Sequence, residues 1–238
     1  MEFWMKTKNL AHKLGGFTVG INPATPVAPN EIVNLIGGTT EGASAILSGR
    51  GAVTRAVLPG IGSVVVKQYL RGGLLSMLGS LHLRRGISRP ELEMKALIEV
   101  RNGGVNAPEP IAWITKGSLF YRGWLVLREM PGVNLAELSL RDEQAAIHAI
   151  PAVVREVGKL VERGVYHIDF HPGNVLVDPD GVATILDFDR AVLDYRPSDL
   201  SERYLRRWRR AIIKHGLSES LMEHFSLGIR SKGALSGF

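Results

Sequence analysis

The spacing of apolar residues changes along the chain. Residues 22–30 (NPATPVAPN) are rich in proline and read as a loop. After them, short β-branched runs are split by glycine. Ala43–Ser48, Ala52–Leu58 and Ser63–Leu70 read as strands, with Gly49-Arg50-Gly51 and Pro59-Gly60-Ile61-Gly62 as turns, so an antiparallel meander is predicted. Pro90 opens a helical pattern in which Leu92, Ala96, Leu97 and Val100 share a face, and Asn102-Gly103-Gly104 closes it. Two further strands are expected at Pro110–Thr115 and Trp124–Arg128, and Met130-Pro131-Gly132 reads as a hinge. The period then becomes helical. Residues 141–163 carry Ala145, Ile147, Ile150, Val153, Val154, Val157, Leu160 and Val161 at core-helix spacing, and Gly164 stops the run. Val175-Leu176-Val177 and Ala183–Leu186 flank the turn Asp178-Pro179-Asp180-Gly181 as two small strands. The remainder is helical and basic. No fixed-period repeat interrupts this order.

Strands with one helix, a hinge, then mostly helix: this order predicts an α+β chain of two lobes. The first spans 1–130 and is a small antiparallel sheet with one key helix, with residues 1–40 an unassigned extension. The second spans 131–238 and is mainly helical. A doubly wound sheet would need regular alternation of strand and helix, which is absent. The 238 residues suffice for two small cores. A net charge of +6 favours anionic partners without choosing among them. No cysteine is present, which removes disulfides and thiolate chemistry. The first residues lack the basic-then-apolar order of a signal peptide, and no run reaches the roughly 18 uncharged apolar residues of a membrane span, so a cytoplasmic, peripheral protein is expected.

The chemistry concentrates in Tyr166-His167-Ile168-Asp169-Phe170-His171-Pro172-Gly173-Asn174, followed by the small hairpin and Asp187-Phe188-Asp189. Phosphoryl transfer needs a carboxylate to orient and deprotonate an acceptor hydroxyl, and oxygen ligands to hold Mg²⁺ against phosphates. Asp169 and Asn174 on one loop can supply both, and a hairpin that returns Asp187 beside Asn174 adds a second hard ligand. The loop follows the kinase pattern H-R-D-L-x-x-x-N then D-F-G at His167, Asp169, Asn174 and Asp187. It departs from it at Ile168, where arginine is expected, and at Asp189, where glycine is expected. His171 is open between loop positioning and a plain structural role, and Asp178 and Asp180 read as turn residues. Upstream, Lys67 ends the run Val64-Val65-Val66 and suits the lysine that pairs with phosphates. Its ion-pair partner is Glu93 in preference to Glu91, which sits in the first helical turn. Gly49 and Gly51 are the preferred backbone approach to phosphate, over Gly37-Gly38-Thr39-Thr40. Glu129 and Met130 are candidates for backbone hydrogen bonds to adenine.

Val64–Leu74 (VVVKQYLRGGL), the Gly49-Arg50-Gly51 turn, Leu127–Gly132 (LREMPG) and Ile185–Arg190 (ILDFDR) resemble the 3-deoxy-D-manno-octulosonic acid (Kdo) kinases, within the lipopolysaccharide kinase group of the protein-kinase-like superfamily. The resemblance covers roughly residues 45–215. It implies ATP-dependent phosphorylation of a Kdo hydroxyl, at the 4-position, on a lipid A precursor at the cytoplasmic face of the bacterial inner membrane. It also implies Lys67 on phosphate, Glu93 paired to it, Asp169 as base with His167 in the catalytic loop, and Asn174 and Asp187 on Mg²⁺. A lipid-linked anionic sugar would give Arg71, Arg84, Arg85, Arg206, Arg207, Arg209 and Arg210 a purpose, in anion recognition or peripheral contact with an anionic membrane. A nucleic-acid partner is not expected, since no recognition motif accompanies the charge. The alternatives are a kinase of another acceptor (a heptose, a small molecule or a protein serine) and a silent nucleotide-binding fold, against which the retained Lys67, Asp169, Asn174 and Asp187 argue.

Overall fold

A computed structural model describes residues 11–39, 45–48, 51–70, 81–84 and 86–235. It divides into two compact units, one of Met1–Lys95 with Glu109–Glu129 and one of Ala96–Pro108 with Met130–Phe238.

The first unit is built on an eight-stranded sheet. Its strands are β1 (Ala11–Leu14), β2 (Phe17–Ile21), β3 (Ala45–Ser48), β4 (Gly51–Leu58), β5 (Gly62–Tyr69), β6 (His82–Leu83), β7 (Pro110–Lys116) and β8 (Phe120–Arg128). They run in the order β1-β2-β7-β8-β5-β4-β3, with β6 also on β8, and every pairing is antiparallel. Alternation along β5 decides what each face does. Val64 and Val66 point into a core shared with Ile111, Ile114 and Val126, which is closed by Ile32 and Ile36 of helix α1 (Pro29–Thr39). Lys67 and Tyr69 point the other way, toward the first turns of α2 (Arg89–Asn102).

Two expectations change here. Residues 11–39 are part of the sheet unit rather than an extension: β2 pairs along β7 from Phe17↔Lys116 to Ile21↔Ala112, and α1 covers the sheet. The predicted loop at 22–30 therefore yields its end to a helix that starts at Pro29, a residue pre-set for a first helical turn. Leu92, expected on the buried face of α2, is 47% exposed, whereas Leu97 and Val100 on the same helix are buried. Gly20 in β2 has a steric reason: a Cβ there would sit 2.1 Å from the Trp113 indole of β7.

The second unit begins with the later turns of α2. The helix expected over 141–163 is α4 (Glu143–Glu162), and a short helix that was not expected, α3 (Leu135–Arg141), precedes it. Asp142 separates them in an extended conformation and caps α4 by accepting from Ala145 N–H at 2.9 Å. A small sheet in the order β11-β10-β9 joins β9 (Val133–Asn134), β10 (Val175–Val177) and β11 (Ala183–Ile185). Gly132, with φ +127°, lies so close to the Val177 carbonyl that a Cβ would approach it to 2.6 Å. α5 (Leu200–His215) and α6 (Glu219–Leu235) complete the unit. Val153, Val154, Val157 and Leu160 of α4 are buried, and Gly228 lets α6 approach Val154. Asn106 knots the segment after α2 to both neighbours. Its backbone N–H donates to Glu156 of α4 at 2.7 Å, and its side-chain amide donates to Ala183 O and Thr184 Oγ1 of β11 at 2.9 Å each. Among the described residues no helix is long and apolar enough to cross a membrane.

Candidate active site

In the first unit, Lys67 Nζ donates to both carboxylate oxygens of Glu93, at 2.9 and 2.8 Å. Glu93 is 1% exposed, and the Tyr69 hydroxyl donates to its Oε2. A carboxylate taken this far from water needs such partners. They fix Lys67 in one place on the sheet, where its side chain keeps 20% of its surface open. Glu91 pairs instead with Lys95, four residues on, at 3.0 Å. Glu129 donates its backbone N–H to Ser63 O at 3.0 Å, which leaves its carbonyl, not its N–H, for any adenine contact. The Arg55 guanidinium holds the Glu129 side chain at 2.6 Å. Gly51 opens β4 opposite Ser48; Gly49 and Arg50 lie outside the described residues, as do Arg71 and Arg85. The rival glycine pair falls within α1. Arg84 is committed within the unit, to Ser118 O and Thr115 Oγ1 at 3.1 Å each and over the Tyr121 ring.

In the second unit, the loop from His167 to Asn174 is held from two sides. The small sheet forms one. Val175 pairs with Ile185, and the ladder extends one step further because Leu186 N–H donates to Asn174 O at 2.9 Å. Asn174 and Asp187 are thereby brought to the same end of the hairpin. Asn174 turns its Nδ2 onto Asp169 O at 2.9 Å, so its side-chain oxygen is the end left for a metal. Asp187 is exposed and has φ +60°, a left-handed backbone that costs a non-glycine residue about 1 kcal/mol. Strain of this kind collects at functional sites.

The other side is α5, whose residues meet the loop in register. The Tyr204 hydroxyl accepts from His167 N–H at 2.9 Å and donates to Val165 O at 2.8 Å. Burial pushes the Tyr204 phenol up, so it stays a donor. Arg207 donates to Asp169 Oδ1 at 2.9 Å. Trp208 stacks on Phe170 at 5.3 Å and on Phe225 at 4.4 Å. At the end of the helix, His215 lies 5.9 Å from His171, ring to ring. From the loop's own side Arg190 reaches Asp169 Oδ2 at 3.5 Å.

The two loop histidines are neutral and structural in geometry. His167 is 1% exposed, and burial lowers its pKa below 6.5. Its Nε2–H donates to Leu186 O at 2.8 Å and its ring meets Phe188 edge-on. It joins the loop from His167 to Asn174 to the segment that carries Asp187. His171 accepts from Gly173 N–H on Nδ1 at 3.1 Å, capping the turn Pro172–Asn174. Its pKa is lowered by burial first and by His215 second.

Among the described residues no three His, Asp or Glu side chains converge as a ready-made metal cage. Mg²⁺ is ordinarily held by one or two protein oxygens together with substrate phosphates, so Asn174 with Asp187 fits that donor chemistry.

The model of the lipopolysaccharide kinase (Kdo/WaaP) family matches residues 47–228. The chain belongs to the lipopolysaccharide kinase family. Its fold is accordingly protein-kinase-like. A 3-deoxy-D-manno-octulosonic acid kinase of Stenotrophomonas maltophilia is 32% identical over 70% of this chain and 68% of its own length. One of Xylella fastidiosa is 28% identical over 64% of this chain and 63% of its own, and one of Vibrio vulnificus 29% identical over 60% and 62%. The chain thus spans about two thirds of the length of these relatives. Lys67, Glu93, Asp169, Asn174, Asp187 and Arg207 all lie inside the span that the lipopolysaccharide kinase model matches, whereas β1, β2 and α1 precede it.

Tyr204 and Trp208 escaped notice in the sequence, and Arg207 was one of several arginines offered for anion recognition. Helical spacing separates them. Leu200, Tyr204, Trp208, Ala211 and Ile212 form the buried stripe, and Arg207, three after Tyr204 and four before Ala211, borders it. Arg209 and Arg210 face away and are exposed, and Arg206 is exposed and bound to Asp199.

Proposed function

We propose that the chain transfers the γ-phosphoryl group of ATP to a hydroxyl, the 4-position, of Kdo in the lipopolysaccharide inner core on a lipid A precursor. One observation carries the reading: Asp169, Asn174 and the residue before Asp187 are tied together by two hydrogen bonds within a chain of this family. The relatives' name supplies the acceptor. In this reading Lys67, fixed by Glu93, holds the α- and β-phosphates. Gly49 and Gly51 would give backbone N–H groups to phosphate, and the Glu129 carbonyl and Met130 backbone would meet adenine. Asn174 Oδ1 and the Asp187 carboxylate would hold Mg²⁺, which would supply positive charge against the phosphates. Asp169 orients the acceptor hydroxyl and takes its proton as the new O–P bond forms and the bond to ADP breaks. We read His167 as a positioning residue rather than a catalytic one, since it is buried and donates to Leu186 O.

The acceptor's lipid would place the enzyme at the inner membrane, on its cytoplasmic side. Support comes from exposed Arg209 and Arg210 on α5, beside Ile213 at 70% exposure, and from Leu227 at 69% on α6. Each basic residue near an anionic surface adds about 1 kcal/mol. Incubation with ATP, Mg²⁺ and the Kdo-bearing precursor, followed by mass spectrometry of the product, tests the reaction. One added phosphate on the Kdo hydroxyl supports it, and an unmodified precursor with ATP consumed elsewhere refutes it.

A further inference from the structure

Asp169 is held by more positive charge than a proton acceptor needs. Arg207 occupies one carboxylate oxygen and Arg190 faces the other. The arginine that the kinase pattern carries within the catalytic loop is Ile168 here, so both guanidiniums are brought from outside it, one from α5 and one from the segment after Asp187. A guanidinium has five N–H donors in a planar fork. Among the described residues Arg207 hydrogen-bonds to Asp169 alone and Arg190 makes only this ion pair. The Arg207 side chain is 26% exposed and that of Arg190 59%. Two cations beside one carboxylate, each with donors to spare and both reachable from solvent, form a place for a second anion next to the base.

We propose that Arg207 and Arg190 form the site for the acceptor's own carboxylate and so select an acidic sugar over a neutral one. The proposal rests on the reading of Asp169 as the base, because whatever touches the base oxygens lies where the acceptor hydroxyl must come. A sugar acid held by its carboxylate on the two forks presents a neighbouring hydroxyl to Asp169, and planar bidentate pairing is the geometry at which arginine surpasses lysine. The acceptor of the related kinases is by name an octulosonic acid. The rival source of the same chemistry is a phosphate of ATP. It would sit with Asn174 Oδ1 and Asp187, and it is distinguished by measuring nucleotide affinity separately.

The test is calorimetric titration of the full chain with free Kdo and with its uncharged carboxamide, in the wild type, R190Q, R207Q and R207K. The wild type is expected to favour the acid by about tenfold or more, the worth of one charge-assisted hydrogen bond. That preference should vanish in R207Q, weaken in R190Q and return only in part in R207K, with ATP affinity unchanged throughout. R190Q, at an exposed position, remains informative if R207Q folds poorly. Equal wild-type binding of acid and amide overturns the proposal. So does a preference that survives in both glutamine variants, or a loss confined to ATP. Binding is read without turnover, so acid-selective binding with no phosphate transfer refutes the function and upholds the site, while transfer without acid selectivity does the reverse.

Discussion

Single side chains do most of their work here by holding another one still. His167 is buried without a charge, and its pKa lies below the ordinary 6.5 because burial disfavours the cation. The unfolded chain then binds more protons than the folded one, so stability is fully present above about pH 6.5 and falls as pH drops below it, by at most ~1.4 kcal/mol per pH unit for this group. Denaturant melts between pH 7 and 5 should show that slope, and it should shrink in His167→Gln; an unchanged slope would mean that another group is responsible. Glu93 presents the opposite case, a charge kept buried by Lys67 and Tyr69. Lys67→Met leaves that carboxylate without its cation and is expected to destabilise the protein by about 3 kcal/mol. The double change Lys67→Met with Glu93→Gln should recover most of the stability but no phosphate transfer. Chemical denaturation of the three proteins checks this, and equal stability of the two variants would count against the pair.

At the scale of elements, helix α5 is a splint for the loop from His167 to Asn174: Tyr204, Arg207 and Trp208 meet His167, Asp169 and Phe170 in turn. Tyr204→Phe removes the bond to Val165 O and leaves the His167 N–H without its acceptor, a loss of about 1–3 kcal/mol. Its signature should be a drop in kcat with the KM for ATP unchanged, and a parallel rise in the KM for ATP would show that the helix serves something other than the loop. Much of this level was legible in the sequence. The β-branched runs and the turn at Pro59–Gly62 marked out the strands around Lys67, and the spacing of Asn174 and Asp187 about a four-residue turn marked out the hairpin. What escaped has physical reasons. Leu14-Gly15-Gly16-Phe17 is a two-residue hairpin signal, with positive φ at both glycines, but its strands are only four and five residues long. Arg207 was one basic residue among several, and only the helical stripe of its neighbours distinguishes it.

For the whole molecule, the proposed phosphoryl transfer was readable in the loop from His167 to Asn174 with Asp187, whereas family membership was readable in Val64–Leu74, Leu127–Gly132 and Ile185–Arg190. The acceptor came from the resemblance, whereas the meeting of Arg190 and Arg207 at Asp169 arises only in the fold. The net charge of +6 makes a further expectation: binding to anionic vesicles should weaken steeply between low and physiological salt, since surface attraction decays within about 8 Å at 0.15 M. Binding that ignores salt would place the contact on apolar residues such as Ile213 and Leu227 instead. The central claim is that Asp169 is the base that activates a Kdo hydroxyl. Its most direct test is single-turnover phosphate transfer from ATP to the Kdo-bearing lipid A precursor by the wild type and Asp169→Asn, with product position read by mass spectrometry. The account predicts one phosphate on Kdo, formed about 10²–10⁴-fold more slowly by the variant, with ATP affinity retained. Transfer at an undiminished rate in Asp169→Asn, or phosphate on a different acceptor, would contradict it.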